Sequence, residues 1–289
     1  MKKNRFIFYI LVSISFMFSQ SEYQILSISK NVFELSNNGA SFAMPNENNL
    51  TNPASFKIGY NHYGFSMINF PSQIKLYNCR IKNYSLSVLD FGTLKDQIDN
   101  VVYKTFSAQE ILLKYFYNYK VRNLTLGISI GAFNSNIHTY NASGLVTSAG
   151  FIGNYKKINS SFGLSIENLG YIFKSYTSYH LPIPLLYRFS FHHQRKSFII
   201  GYEWIYTKSS KEFQHILCFE FQITNKIKLR FSDSNYLNNL QVENYDYNFL
   251  SGMGLGFDLK LNNINLNFGF KNLGIAGPIY GISINFLKN

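Results

Sequence analysis

The chain has 289 residues, a formal net charge of +12, 46% hydrophobic residues and 18% aromatic residues. The basic residues are scattered and form no run typical of a nucleic-acid surface, so we expect no nucleic-acid partner. Two cysteines, Cys79 and Cys218, are too few for a disulfide scaffold; they leave one bridge or two buried free thiols, and we expect the thiols. The many Phe and Tyr residues exceed what most soluble domains use and fit the lipid-facing surface and interfacial girdles of a membrane barrel.

The N-terminus predicts a secretory signal peptide over residues 1–21. Lys2, Lys3 and Arg5 precede an apolar run from Phe6 to Phe18, and small and polar residues follow. The run of roughly 13 residues is too short to cross a bilayer as a helix, which needs about 20. We therefore expect cleavage near residues 19–21, and no lipid anchor because neither cysteine lies at that junction.

Residues 22–54 differ in pattern from everything that follows them. They lack sustained alternation and contain an acidic, Asn-rich run at residues 46–49. This composition predicts a plug or lead-in segment inside or before a barrel. The segment ends at Asn52-Pro53-Ala54, where the residue before proline favours extended backbone and an Asn side chain can cap the following turn.

Residues 55–289 alternate apolar residues with small or polar ones in about a dozen stretches. The clearest runs from Leu124 to Phe133, where Leu and Ile alternate with Thr, Ser and Gly. A transmembrane strand needs about 9 to 11 residues, so the mature length fits about 14 strands. We predict an all-β, transmembrane antiparallel β-barrel of about 14 strands, with Leu124–Phe133 as about the fifth. A soluble secreted β-sandwich shows the same alternation and is the alternative.

The last strand and the connections favour the barrel. Tyr280 to Phe286 alternate and end in an aromatic residue, similar to the terminal strand by which bacterial barrels are recognised for assembly. Short Asn-containing connections at 122–123, 157–159, 225–226 and 262–263 predict tight turns. Polar stretches at 94–104, 171–180 and 234–247 predict longer, outward-facing loops. Only the stretch 74–80 departs from the alternation.

Charged residues of the predicted strands fall opposite the apolar stripe, on the lumen side of a barrel. They would either line a path for a ligand or close a small barrel by salt bridges, and we favour closure. These residues are Arg188, Glu203, Glu220, Arg230, Asp258 and Lys260.

No residue set predicts catalysis, a cofactor or a metal site. His192 and His193 are adjacent, and neighbours on a strand point to opposite faces, so they cannot chelate one ion together. The glycines of Gly252–Gly256 lead into an alternating strand instead of the helix that a phosphate-binding loop requires. The other histidines have no fixed spacing to an acid or a nucleophile: His62, His138, His180 and His215. We expect a non-enzymatic protein.

A set of short motifs occurs in order along nearly the whole mature chain. Gly39-Ala40 is followed by the acidic run and by Asn52-Pro53-Ala54 just before the first strand. Further segments follow at 91–93, 105–108, 135–145, 167–170 and 181–184. In this order the motifs resemble the PorV/PorQ family of outer-membrane proteins, and the compact length and Leu-Pro element are most similar to its PorQ branch.

The resemblance implies a 14-stranded FadL-like barrel in the outer membrane of a Gram-negative bacterium, with a role in type IX secretion. Family members help to deliver or attach secreted proteins that carry a C-terminal signal domain. The implied partners are outer-membrane lipid, a transpeptidase-like protein, periplasmic or surface components of the system, and this cargo. The motif residues Gly39, Ala40, Asn52, Pro53 and Ala54 are then structural. The alternative function is a FadL-like channel for hydrophobic small molecules.

Overall fold

The computed structural model describes residues 23–44, 49–56, 61–98, 101–178, 181–235 and 250–288, so the predicted signal peptide lies outside it. Among these residues fourteen antiparallel strands form a closed barrel, in which each strand pairs with its neighbours in sequence and β14 pairs with β1. The predicted barrel is confirmed and the sandwich is wrong.

The strands are β1 (Asn61–Asn69), β2 (Lys75–Ile81), β3 (Tyr84–Ile98), β4 (Val101–Val121), β5 (Leu124–Ile137), β6 (Tyr140–Tyr155), β7 (Ser160–Lys174), β8 (Leu186–Arg195), β9 (Phe198–Thr207), β10 (Glu212–Gln222), β11 (Ile227–Ser234), β12 (Gly254–Leu261), β13 (Ile264–Asn272) and β14 (Pro278–Lys288).

Alternation along the strands separates an apolar outer face from a lumen. In β5 the outward Leu126 and Ile130 are exposed, whereas Ser129, Gly131 and Phe133 are buried inside. Side chains that alternate across a strand can satisfy an apolar exterior and a packed interior at once. The fifth strand therefore has the position and the orientation that its sequence predicts.

The two ends of the barrel differ. The end where β1 begins carries only short turns, at 82–83, 122–123, 156–159, 196–197, 223–226 and 262–263, and we call it the turn end. Left-handed backbone at Arg122, Asn159 and Asn262 makes three of these turns tight, as predicted. The opposite end, the loop end, carries the longer connections.

The predicted loops need correction. Residues 94–98 and 101–104 continue β3 and β4 as paired strands, where Leu94 pairs with Phe106, and do not form the predicted loop. Strands can extend beyond the apolar outer surface of the barrel, because their backbone hydrogen bonds do not require apolar side chains. A polar stretch therefore does not by itself mark the end of a strand. The loop predicted from residue 171 begins only after Lys174, because β7 continues that far. Most of the loop predicted at 234–247 lies outside the described residues.

The barrel interior is occupied by residues 23–44 and 49–56, which we call the plug. It contains two short helices, α1 (Gln24–Ser27) and α2 (Val32–Ser36). The side chain of Asn31 caps α2 by accepting from the Glu34 amide, and Gly39 follows the helix with a φ of +85°. No helix in the described part of the chain is long and apolar enough to cross a bilayer.

Candidate functional site

The plug is joined to the barrel wall by a buried group of charges on β7, β8 and β9. Arg188 pairs with Glu167 through Nε at 2.8 Å and with Glu203 through Nη1 at 2.9 Å. The other oxygen of Glu203 accepts from the amides of Ser41 and Phe42, at 2.9 and 2.7 Å. We call Glu167, Arg188 and Glu203 the Arg188 cluster. Its one guanidinium lies between two carboxylates, and one of these carboxylates also accepts from the plug backbone.

A second group of charges, in which Glu220 and Arg230 are buried, lies on β10, β11 and β12. Arg230 pairs with Asp258 and lies 3.4 Å from a carboxylate oxygen of Glu220, whose other oxygen binds Lys228 at 2.8 Å. Arg230 also donates to the Ser36 hydroxyl and covers the ring of Phe33, with its guanidinium carbon 4.5 Å from the ring centroid. We call Glu220, Lys228, Arg230 and Asp258 the Arg230 cluster.

Five of the six predicted lumen charges therefore lie in these two clusters, and Lys260 lies in neither. Lys260 is exposed near the turn end of β12. Lys228 takes part instead, and its position opposite the outward Ile227 and Leu229 was available from the alternation. Two cavities between the described parts of plug and wall measure about 10 and 20 Å³, which is room for about one water each.

The plug has its own internal charge anchor. Glu34, fully buried on α2, accepts from the amides of Lys30 and Leu50 at 2.7 and 2.8 Å, so it ties the two parts of the plug together. Burial raises the pKa of the Glu34 carboxyl above its usual range. Burial, and then the nearby Lys114, lower the pKa of Lys30 to about 7. Charge in the plug therefore responds to pH near neutrality.

The motif residues lie in the plug and at its contacts with the wall. Asn52 Oδ1 accepts from the Ala54 amide at 2.9 Å, which is the predicted turn cap, and Asn52 Nδ2 donates to the Leu164 carbonyl at 3.4 Å. The carbonyl of Gly39 accepts from Arg188 at 2.9 Å, and Ala40 is fully buried beside it.

Wall glycines mark where the plug approaches most closely. A Cβ at Gly127 would lie 2.3 Å from the Ala54 amide nitrogen and from the Pro53 carbonyl carbon. At Gly254 and Gly256 it would lie within 2.8 Å of Ser36. Gly254 and Gly256 therefore make room for α2 of the plug.

Histidines and cysteines occupy unrelated places. His192 faces the plug, where its Nδ1 lies 3.0 Å from the Phe42 carbonyl, and His193 binds Ser160, so the adjacent pair points to opposite faces as predicted. His215 bonds Tyr202 on the exposed face and His138 lies in the exposed β5–β6 turn. His180 and the side chain of His62 lie outside what the structure describes.

Both cysteines of the chain are free thiols. Cys218 is buried and donates to Asn37 at 3.5 Å, whereas Cys79 is only half-buried, so the expectation of two buried thiols holds for one of them. Within the described ranges no three His, Cys, Asp or Glu side chains are arranged to hold a metal ion.

The wall contains a pocket of about 690 Å³ at the loop end, between β7 and the connection that follows it. The β7–β8 ladder runs on β7 only from Ser160 to Glu167, although β7 continues to Lys174. Extended residues 181–185 lie beside this last part of β7. The pocket is lined mainly by apolar side chains, Leu169, Tyr171, Ile172, Leu181, Ile183 and Leu185. We call it the wall pocket.

Asn168 forms the corner between the wall pocket and the plug. It has a left-handed φ of +62° at a register shift between β6 and β7. Its Nδ2 donates to the carbonyls of Leu26 in the plug and Pro184 in the connection, both at 3.0 Å. Leu181 and Ile183 pack on the core cluster that contains Leu26. One layer of side chains thus separates the wall pocket from the plug.

The fold is that of the FadL-like outer-membrane β-barrels. No protein-family model and no curated protein matches the sequence. Among solved structures it is similar to the toluene transporter TodX of Pseudomonas putida, with 10% identity, 86% of this chain and 93% of that chain covered, and a TM-score of 0.51. A Pseudomonas aeruginosa FadL homologue is 10% identical, with 90% of this chain and 99% of that chain covered and a TM-score of 0.52. The CymD monoaromatic hydrocarbon channel is 11% identical, with 93% of this chain and 99% of that chain covered and a TM-score of 0.55.

Proposed function

We propose that the protein is a non-enzymatic channel for hydrophobic small molecules in the outer membrane of a Gram-negative bacterium. The wall pocket carries this proposal. Its volume of about 690 Å³ falls in the range of small-ligand sites, and its lining is mostly apolar with a few polar groups at one edge. The transporter and hydrocarbon channels with a similar fold support monoaromatic hydrocarbons or related apolar molecules as the substrate class.

The pocket supplies an entry between membrane and lumen that avoids the filled barrel axis. A molecule in the pocket contacts Leu181 and Ile183, and these pack on the plug. Asn168 holds both the connection and the plug, so displacement of the connection loosens the plug backbone at Leu26. Passage then requires a local shift at the first residues of the plug and leaves the Arg188 cluster intact.

The test compares two tryptophan substitutions on β7. Leu169 lines the wall pocket and is 47% exposed; Leu164 lies on the same outer face at 49% and away from the pocket. L169W fills the pocket, so we expect initial uptake of radiolabelled toluene or a long-chain fatty acid, by cells without other channels of this class, to fall severalfold. L164W is the matched control and should transport normally. Uptake no faster than in cells without the protein, or equal loss in both variants, contradicts the proposal.

A second candidate is the type IX secretion role that the PorV/PorQ resemblance implies. The observation that favours it is the filled lumen, since cavities of about 10 and 20 Å³ suit a closed scaffold that binds protein partners at its loops and rims. Deletion of the gene should then block surface attachment or release of proteins with a C-terminal signal domain. Normal secretion by the deletion strain contradicts this role, and L169W separates the two functions because it should leave secretion unchanged.

A further inference from the structure

The turn end of the barrel carries a ring of exposed cations. Each of its six turns has an exposed Lys or Arg in it or within two residues: Lys82, Arg122, Lys156, Lys196, Lys226 and Lys260. Three more exposed cations flank them, at Lys120, Lys157 and Arg195. No Asp or Glu occurs in these turns or within two residues of them. The exposed charges at these six turns therefore have one sign.

The loop end has mixed charge by comparison. Lys75, Lys174 and Lys211 lie there, but so do Asp90 and Glu212. Among the described residues the loop end therefore carries exposed charges of both signs, whereas the six turns of the turn end carry cations without neighbouring carboxylates.

Exposed apolar and aromatic side chains adjoin these cations. Ile158, directly after Lys157, is 60% exposed, and Tyr119 and Tyr155 are 62% and 58% exposed beside Lys120 and Lys156. Tyrosine marks the level of lipid headgroups, and long basic side chains near an apolar surface extend their charge to that level. The boundary between the apolar surface and the ring therefore corresponds to the boundary between the acyl chains and the headgroups of a bilayer.

We infer that the turn-end cations bind the phosphate headgroups of anionic phospholipids in the leaflet that faces the periplasm. Short turns of such barrels face the periplasm, which assigns the leaflet. A lipid layer fits the observations better than one acidic protein, because the cations occur at each of the six turns of this end, at the edge of the apolar surface. Each cation near an anionic surface favours anionic lipid by about fivefold.

The experiment uses the refolded barrel in vesicles of phosphatidylglycerol and phosphatidylcholine, with one of the two lipids brominated. Bromine quenches a nearby tryptophan, so exchanging the brominated lipid gives the local preference. Trp204 lies near the loop end of β9, and Y155W in a W204F background reports the turn end. We expect at least about fivefold preference for phosphatidylglycerol at position 155, and a preference near one at Trp204.

Two charge variants give the decisive comparison. K156Q/K157Q/R195Q/K196Q removes four cations next to position 155, because the 156–159 and 196–197 turns are neighbours through the β7–β8 ladder. It should bring the preference at position 155 close to one, as should 1 M salt with the unaltered ring. K75Q/K174Q/K208Q/K211Q removes four exposed cations at the loop end and should leave the lipid preference at position 155 unchanged.

Three results overturn the inference: no preference at position 155 in the unaltered ring, a preference that persists in the turn-end variant, or equal loss in both variants. The first is also the result expected if the ring serves an acidic protein. Heat-modifiable gel migration identifies folded samples. If the turn-end variant does not fold, the salt titration of the unaltered ring decides.

Discussion

The Arg188 cluster and the Arg230 cluster have the same arrangement of charges but contact the plug through different groups. In each, a buried arginine on one strand lies between carboxylates of neighbouring strands. In the Arg188 cluster one carboxylate, Glu203, also binds two plug amides, whereas Glu220 of the Arg230 cluster binds only wall residues. The two clusters thus hold the plug differently: the Arg188 cluster binds its backbone through a carboxylate, and the Arg230 cluster contacts it through the guanidinium of Arg230.

The largest expected effect tests this difference directly. Glu203→Ala removes the acceptor of the Ser41 and Phe42 amides and leaves Arg188 with one partner, so we expect a loss of about 3–5 kcal/mol in the free energy of unfolding. The plug should also loosen, which planar-bilayer conductance detects. Guanidinium unfolding in detergent micelles gives the stability.

The matched control is Glu220→Ala. It removes wall contacts only, and Arg230 keeps Asp258, so we expect a loss of about 1–2 kcal/mol with the conductance unchanged. Equal conductance increases in the two variants would show that the clusters do not differ in their hold on the plug.

The next effect asks whether close packing holds the plug as well as charge does. Gly127→Ala places a Cβ against the rigid backbone of Pro53 and Ala54, so we expect a loss of about 1–3 kcal/mol, measured by guanidinium unfolding. At Gly153 the Cβ would meet only the movable ring of Phe162, at 2.7 Å, and Gly153→Ala should cost less than about 1 kcal/mol. A reversed order would mean that Pro53 and Ala54 yield easily.

The last prediction concerns the pH dependence of stability. It tests Lys30 of the plug, which lies near Arg188. Unfolded Lys30 keeps its proton up to about its ordinary pKa of 10.5, whereas burial lowers the pKa of folded Lys30 to about 7. Between these values the unfolded state binds more protons, so the free energy of unfolding rises with pH. In Lys30→Met this rise should disappear, and its persistence would assign it to another group. Unfolding curves from pH 7 to 10 measure it.

The sequence predicted strands best where the apolar side chains all lie on the outer face of the barrel. Leu124–Phe133 alternates cleanly because one face meets an apolar surface. β2 was poorly predicted because Leu76 points inward and packs with the plug, so the strand has apolar residues on both faces. The Asn52 cap was predictable because it is local, formed within two residues.

The candidate site was less predictable because its contacts join distant parts of the chain. The separation between Glu203 and Ser41 is 162 residues, and nothing in either neighbourhood indicates the other. The wall pocket depends on where the β7–β8 ladder ends and on the left-handed Asn168, and no short motif predicts either.

By itself the sequence determined the barrel, its approximate strand number, its tight turns and an interior segment before the first strand. These follow from a two-residue period and from local turn chemistry, which act over a few residues. Only the tertiary structure decided which charges meet, how tightly the plug fills the lumen and where the wall has a pocket. Those depend on closing the barrel around the plug, which brings together residues that the chain separates by more than a hundred positions.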